Sequence, residues 1–312
     1  MENFLLSVNA ILPMFLTMAV GYLSRRLGLL KREDVFGINK IAFRVFLPCL
    51  LFYNIYCSDL ASAIRPRLML CAVCGVLIVF VCAVGFVLLT EKEPARRGVM
   101  IQGLFRSNYV IMGIPIASAL LGDASLGPVA ILIAVIVPIF NVLSVVVLEI
   151  FRSGRPQPVK VLVQILKNPL IIGSALGILA LLLKITLPGF LVSAVKGIGS
   201  AATPLQLFLL GAFFRFDGLR QYRRELTTVT LGKLVVVPAA LLSAAALLGF
   251  RGVEFVSLLG IFASPTAINS FTMAQQMGGD EELAGDIVIV TSAASAFTFC
   301  GWIFLFKSLG IF

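Results

Sequence analysis

GVMIQGLFRSNYVIMGIPIASALL, residues 98–121, is apolar enough at both ends to cross the hydrocarbon core of a bilayer, which takes about 20 apolar residues. Its middle carries Arg106, Ser107 and Asn108, followed by Gly113 and Pro115. Proline removes an amide donor and clashes with the preceding turn, yet suits the first position of a new helix. Such a span is expected to break in mid-membrane and restart, pointing free amides and a positive dipole end into the bilayer. Residues 253–277 hold a counterpart, Ala263-Ser264-Pro265-Thr266-Ala267-Ile268-Asn269, with Ser264 suited to an N-cap and Pro265 to the first helical position. Two helix starts aimed at one point favour an anion there.

The rest of the chain has the same solvent preference. Mean hydropathy is +1.06. With 60% apolar and 13% charged residues, the chain lies far from soluble composition, where roughly a quarter of residues are charged. Ten spans can be read, at 4–24, 36–57, 67–90, 98–121, 125–151, 163–183, 190–213, 226–249, 253–277 and 283–306. No stretch between them is long enough to bury a core of its own, and the start Met1-Glu2-Asn3 lacks the basic charge of a cleavable signal. Lys and Arg divide unevenly among the connecting loops, with fifteen after spans 1, 3, 5 and 7 and five on the other side. The basic side is expected to face the cytoplasm, which puts both termini outside a bacterial inner membrane. The net charge of +10 is spread over these short loops, not gathered on one face, and gives no reason to expect nucleic acid.

An internal repeat runs through the chain. Pro13 and Gly21 match Pro169 and Gly177, and Lys40, Pro48, Leu51 and Phe52 match Lys196, Pro204, Leu207 and Phe208, all at an offset of 156. Phe105, Ser107, Ala117, Gly122 and Asp123 match Phe262, Ser264, Ala274, Gly279 and Asp280 at 157. Five spans per copy is an odd number, so the second copy enters from the opposite side. The expected architecture is therefore all-α, with residues 1–151 and 163–312 as two inverted five-helix repeats joined by a cytoplasmic linker at 152–162. Inverted repeats with discontinuous helices in matching positions are a signature of secondary transporters whose site lies near the midplane.

Charges inside the spans are unbalanced. Lys40, Arg44, Arg106, Lys196 and Lys233 have no mid-membrane acid to pair with; Glu149 and Asp286 lie near span ends. A buried cation is costly and marks a pathway or a pair, and the missing anion is then the substrate. Arg106, beside Asn108, is the first candidate to attract it, against a structural bond to helix-end carbonyls. Arg44, one turn beyond Lys40, is a candidate for charge or coupling. Lys233 either neutralises helix C-terminal dipoles or stands where a coupling cation would. The absence of His and of a buried carboxylate pair argues against an enzyme, a metal set or a cofactor. Cys71-x-x-Cys74, inside an apolar span with no second pair, reads as apolar filler.

The run Asn108-Tyr109-Val110-Ile111-Met112-Gly113-Ile114-Pro115 resembles the fourth-helix motif of the auxin efflux carrier family, plant auxin carriers and the bacterial malate and malonate permease-like proteins. Ser264-Pro265-Thr266-Ala267-Ile268-Asn269-Ser270-Phe271 and Pro48-Cys49-Leu50-Leu51-Phe52 are similar to other helices of that family, and the long cytoplasmic loop of many plant members is absent. The resemblance implies a scaffold of spans 1, 2, 6 and 7, a mobile domain of spans 3–5 and 8–10, and a crossover of spans 4 and 9 at Pro115 and Pro265. It further implies elevator-type movement, a homodimer, and a carboxylate meeting Asn108. Arg106, Gly113, Ser264 and Asn269 complete the expected substrate site. A sodium-coupled symporter of related crossover fold, with Ser264, Thr266 and Asn269 as ion ligands, is the alternative.

Overall fold

Helix occupies every expected span in the computed structural model, which describes residues 2–57, 65–121, 127–152, 158–216 and 218–312. In chain order the principal helices are α1 (Glu2–Arg26), α2 (Arg32–Tyr56), α3 (Pro66–Thr90), α4a (Pro94–Phe105), α4b (Tyr109–Leu121) and α5 (Gly127–Arg152). They continue as α6 (Pro169–Leu182), α7 (Gly189–Phe213), α8 (Arg223–Leu247), α9a (Gly252–Ala263), α9b (Asn269–Met277) and α10 (Glu281–Ser308). Helices α2, α3, α5, α8 and α10 are each long and apolar enough to cross a membrane. No strand occurs among the described residues. Residues 153–157 of the expected linker, and Gly122 and Asp123 of the repeat, lie outside the described residues.

The sixth span starts later than hydropathy suggests. A separate short helix, Pro158–Leu166, ends before Asn168, whose side chain accepts from the Leu170 amide at 2.9 Å and caps α6 with Pro169 at its first position.

Helices α1 and α7 pack closely, and glycine permits it. A Cβ at Gly21 would run into the carbonyl oxygen of Phe208, and one at Gly211 into that of Met18. Helix α6 lies on α2 in the same manner, since a Cβ at Gly173 would sit 2.8 Å from the Pro48 carbonyl oxygen. Small residues supply close helix approach in a bilayer, where lipid is as apolar as the side chains and packing must provide the attraction. The obstacle at Gly211 is backbone, which cannot rotate away. Gly211→Val is therefore expected to cost about 3 kcal/mol, the upper end for overpacking. Thermal unfolding of the purified protein should show the loss; an unchanged midpoint would refute this account of the α1–α7 contact.

Two helices contain a wider, π-helical turn, Ala42–Phe46 in α2 and Gly232–Val236 in α8, each just before a proline. Pro238 cannot donate to the carbonyl of Leu234, and the indole of Trp302 on α10 does so instead, at 2.9 Å. The added residue also resets which side chains face inward. In α8 Lys233 lies in this turn and points into the protein, 1% exposed. In α2 the outcome is opposite. Lys40 and Arg44 are exposed beside the exposed Ile41 and Val45, and the inward side chain is Asn39. Asn39 accepts from Thr272 at 2.8 Å and donates to Gln275, tying α2 to α9b.

Candidate functional site

The two interrupted helices meet at their interruptions. Helix α4a ends at Phe105 and α4b begins at Tyr109, while α9a ends at Ala263 and α9b begins at Asn269. Between them Ser107 and Thr266 form an antiparallel bridge, and the Asn108 amide donates to the Pro265 carbonyl at 2.8 Å. The break in the fourth span thus falls several residues before the expected one. Pro115 lies within α4b, and Gly113 faces α9a, where a Cβ built on Gly260 would come within 3.1 Å of its Cα. In the ninth span Pro265 lies inside the interruption and does not open α9b. Ser264 closes α9a, its hydroxyl donating to the Gly260 carbonyl at 2.5 Å.

Backbone that leaves a helix at this depth must find other partners, because lipid offers none. Thr266 donates its hydroxyl to the Gly103 carbonyl at 2.9 Å. The Lys233 ammonium donates to the Ser107 hydroxyl at 2.5 Å and to the Phe105 carbonyl at 3.4 Å. Lys233 thereby meets the negative dipole end of α4a, one of the two roles open to it from the sequence. The amide of Thr266 donates to the Thr291 hydroxyl at 3.3 Å, linking the junction to α10.

Beside this junction lies a cavity of about 90 Å³. Arg106, Asn108 and Asn269 line it, while Gly113, Ser264, Pro265, Lys233 and Arg44 do not. The first turn of α4b, Tyr109, Val110 and Ile111, also faces it. These amides have no intrahelical acceptor, so the positive end of α4b opens on the cavity. The matching expectation for α9b is not met, since the amides of Ser270 and Phe271 already donate to the carbonyls of Ala267 and Ile268 at 3.0 and 3.2 Å. Lining residues not anticipated from the sequence include Asn54 of α2 and Thr203 and Gln206 of α7. Each is an uncharged polar residue in an apolar span, and that contrast is the signal that marks it.

The electrostatics of the lining are one-sided. Arg106 is 2% exposed and donates to Asn141 Oδ1 at 2.6 Å and to the thioether of Met273. Neither bond goes to a helix-end carbonyl. It has no ion pair among the described residues. The amide nitrogens of Asn108 and Gln206, residues 6% and 2% exposed, have no hydrogen-bond partner among the described residues. No carboxylate faces the cavity among the described residues. Two spare neutral donors, one cation and a helix N-terminus make a surface that can bind a group offering only acceptors.

Helices long and apolar enough to span, with two of the chain's helices broken beside a buried donor-lined cavity, belong to an integral membrane protein that moves solutes. Residues 6–303 match the family described as "Membrane transport protein", and the chain belongs to it, the auxin efflux carrier family. A Rhizobium meliloti protein named "Putative malonate transporter" is 25% identical over 305 residues, covering 96% of this chain and 95% of its own. An uncharacterized transporter of Methanocaldococcus jannaschii is 22% identical over 312 residues, covering 96% of this chain and all of its own length. Auxin efflux carrier component 8 of Arabidopsis thaliana is 32% identical over 123 residues, 37% of this chain and 33% of its own.

Proposed function

We propose that this protein is a secondary carrier of short-chain organic carboxylates, malonate- or malate-like, which bind in the cavity beside the α4–α9 junction. The observation that carries the reading is the pair of unpartnered amide donors on Asn108 and Gln206 beside the buried Arg106. A carboxylate accepts hydrogen bonds and cannot donate them, so it satisfies every spare group at once. At about 90 Å³ the cavity is far smaller than the ~300–1,000 Å³ pockets of drug-sized ligands, which favours a short aliphatic acid over an aromatic one. The name of the Rhizobium meliloti relative points the same way.

In this reading the chain sits in the bacterial inner membrane as ten spans in two inverted repeats, with both termini outside. Helices α1, α2, α6 and α7 form a scaffold through which two copies pair. The other six spans carry the substrate past it in an elevator movement. The glycine-mediated packing of α1 on α7 and of α6 on α2 supports such a grouping. The site chemistry requires neither cofactor nor covalent step, which supports a carrier over an enzyme. The sodium-symporter alternative is weaker at this junction, because neither Ser264 nor Thr266 lines the cavity and no carboxylate faces it among the described residues.

The test is a counterflow screen of mono- and dicarboxylates with the purified protein in liposomes. Short dicarboxylates should exchange and indole acids should not. Asn108→Ala and Gln206→Ala should each weaken apparent affinity about 10- to 100-fold, the ~1.5–3 kcal/mol of a hydrogen bond to a charged group. Exchange at wild-type affinity in both variants would remove the site from the reading.

A further inference from the structure

A second cavity of about 90 Å³ is lined by the end of α7 and the start of α10. Asp286 on α10 is 4% exposed and lines it, and its Oδ2 has no hydrogen-bond partner among the described residues. The carboxylate also forms no ion pair among the described residues. Its charged surroundings are mostly acidic. Glu282 stands one turn earlier on α10 and faces the same cavity, and Asp280 caps that helix. Glu281 and Glu282 share Arg32 of α2, at 3.4 and 3.5 Å. Asp280 is met by Arg96 of α4a at 3.4 Å and by the Tyr222 hydroxyl at 3.2 Å. From the segment after α7, Arg215 and Gln221 line the cavity, and Gly218 presses on the carboxylate so closely that a Cβ there would collide with Oδ2.

We infer that Asp286 is a cation site, taking up a proton or a sodium ion at the seam between α7 and α10. A buried carboxylate without a donor is costly to keep charged, and the cost is removed by a proton or by a small cation held between oxygens. Glu282 and the Gln221 side chain, which line the same cavity, supply further oxygens for a hard cation. The position matters for movement. In the reading above, which this inference rests on, α7 belongs to the scaffold and α10 to the mobile part. A charge appearing or vanishing at their seam then biases the equilibrium between the two arrangements, which is how an ion gradient drives a substrate. It gives the carrier a coupling group away from the cavity at the junction, where no acid is found among the described residues.

The experiment measures radiolabelled malonate accumulation in liposomes under an inward proton gradient, an inward sodium gradient, or neither. One gradient should raise wild-type accumulation, about tenfold for a tenfold gradient coupled one to one, and so identify the ion. Asp286→Asn should return accumulation to the level without a gradient, and Asp286→Glu should keep part of the response. Gly218→Ala, which displaces the carboxylate from outside α10, should also lower it. Wild-type accumulation indifferent to both gradients overturns the inference, as does an Asp286→Asn protein that still responds fully. Malonate counterflow by the wild type separates the two readings. If it is absent, the malonate reading fails by itself, and the site is decided by ²²Na⁺ binding and proton uptake on purified protein. A loss in Asp286→Asn then supports it, and equal values in the two proteins overturn it.

Discussion

Arg106→Ala should lower carboxylate exchange by about 100-fold while raising the thermal stability of the empty protein. The first effect follows from what truncating one partner of a buried charge pair costs, ~2–5 kcal/mol, in which about 3 kcal/mol corresponds to a hundredfold. The second follows from the state of Arg106 when no substrate is bound. Its guanidinium is buried against one amide oxygen and a thioether, the latter a weak acceptor. It has no counter-charge among the described residues, so the fold carries a desolvation cost that only an arriving anion offsets. Arg106→Met, which fills the space with apolar atoms, should stabilise more than Arg106→Ala, which leaves a void. Arg106→Lys should keep the charge but lose the planar fork, and fall between wild type and Arg106→Ala in exchange. The opposed signs are diagnostic. A residue serving only the fold would lose stability on truncation, whereas one held ready for an anion loses transport and gains stability. Counterflow and a thermal-shift series on the same preparations measure both; a less stable Arg106→Met protein with normal exchange would reverse the assignment.

The helical positions were legible because hydropathy over about 20 residues reports the solvent directly. The presence of interruptions in spans 4 and 9 was legible too, from polar residues beside Pro and Gly. Their exact place was not. Pro115 reads as the obvious break, yet membrane helices absorb a proline when the orphaned carbonyl finds another partner, as Leu234 finds Trp302 ahead of Pro238. The chain instead opens at Arg106 to Asn108, where Lys233 and Thr266 arrive from distant helices to take the freed groups. Those partners lie more than a hundred residues away and leave no local mark. Helical phase was equally hidden. Arg44 and Lys233 both sit in apolar spans, within a π-helical turn just before a proline, yet one points outward and the other inward, and only the packing of neighbouring helices decides which. Gln206 and Asn54 show a different limit. Attention to charge passes over isolated amides, although in an apolar span an amide also needs a partner.

Lys233→Ala should fail in the opposite manner to Arg106→Ala, losing stability and transport together. The ammonium is as buried as Arg106 but far better matched. It donates to a hydroxyl at 2.5 Å and reaches the Phe105 carbonyl, at the negative end of α4a. Truncation leaves Ser107 and that carbonyl without their donor in a region that lipid and protein keep dry. An orphaned buried acceptor costs ~1–3 kcal/mol, and two of them exceed the gain from removing a partly compensated charge. The expected loss is about 2 kcal/mol, read as a lower thermal midpoint. Transport should fall because Ser107 lies between Arg106 and Asn108. When the bridge to Thr266 loosens, both cavity-lining side chains lose the backbone that aims them. Misplacement of this order costs binding geometry even where every binding side chain is still present. Lys233→Met should do no better than Lys233→Ala, since filling the volume does not satisfy the acceptors. Lys233→Arg keeps a donor and should recover stability before it recovers exchange. A Lys233→Met protein that is as stable as wild type and exchanges malonate normally would show that the junction holds itself together without the ammonium.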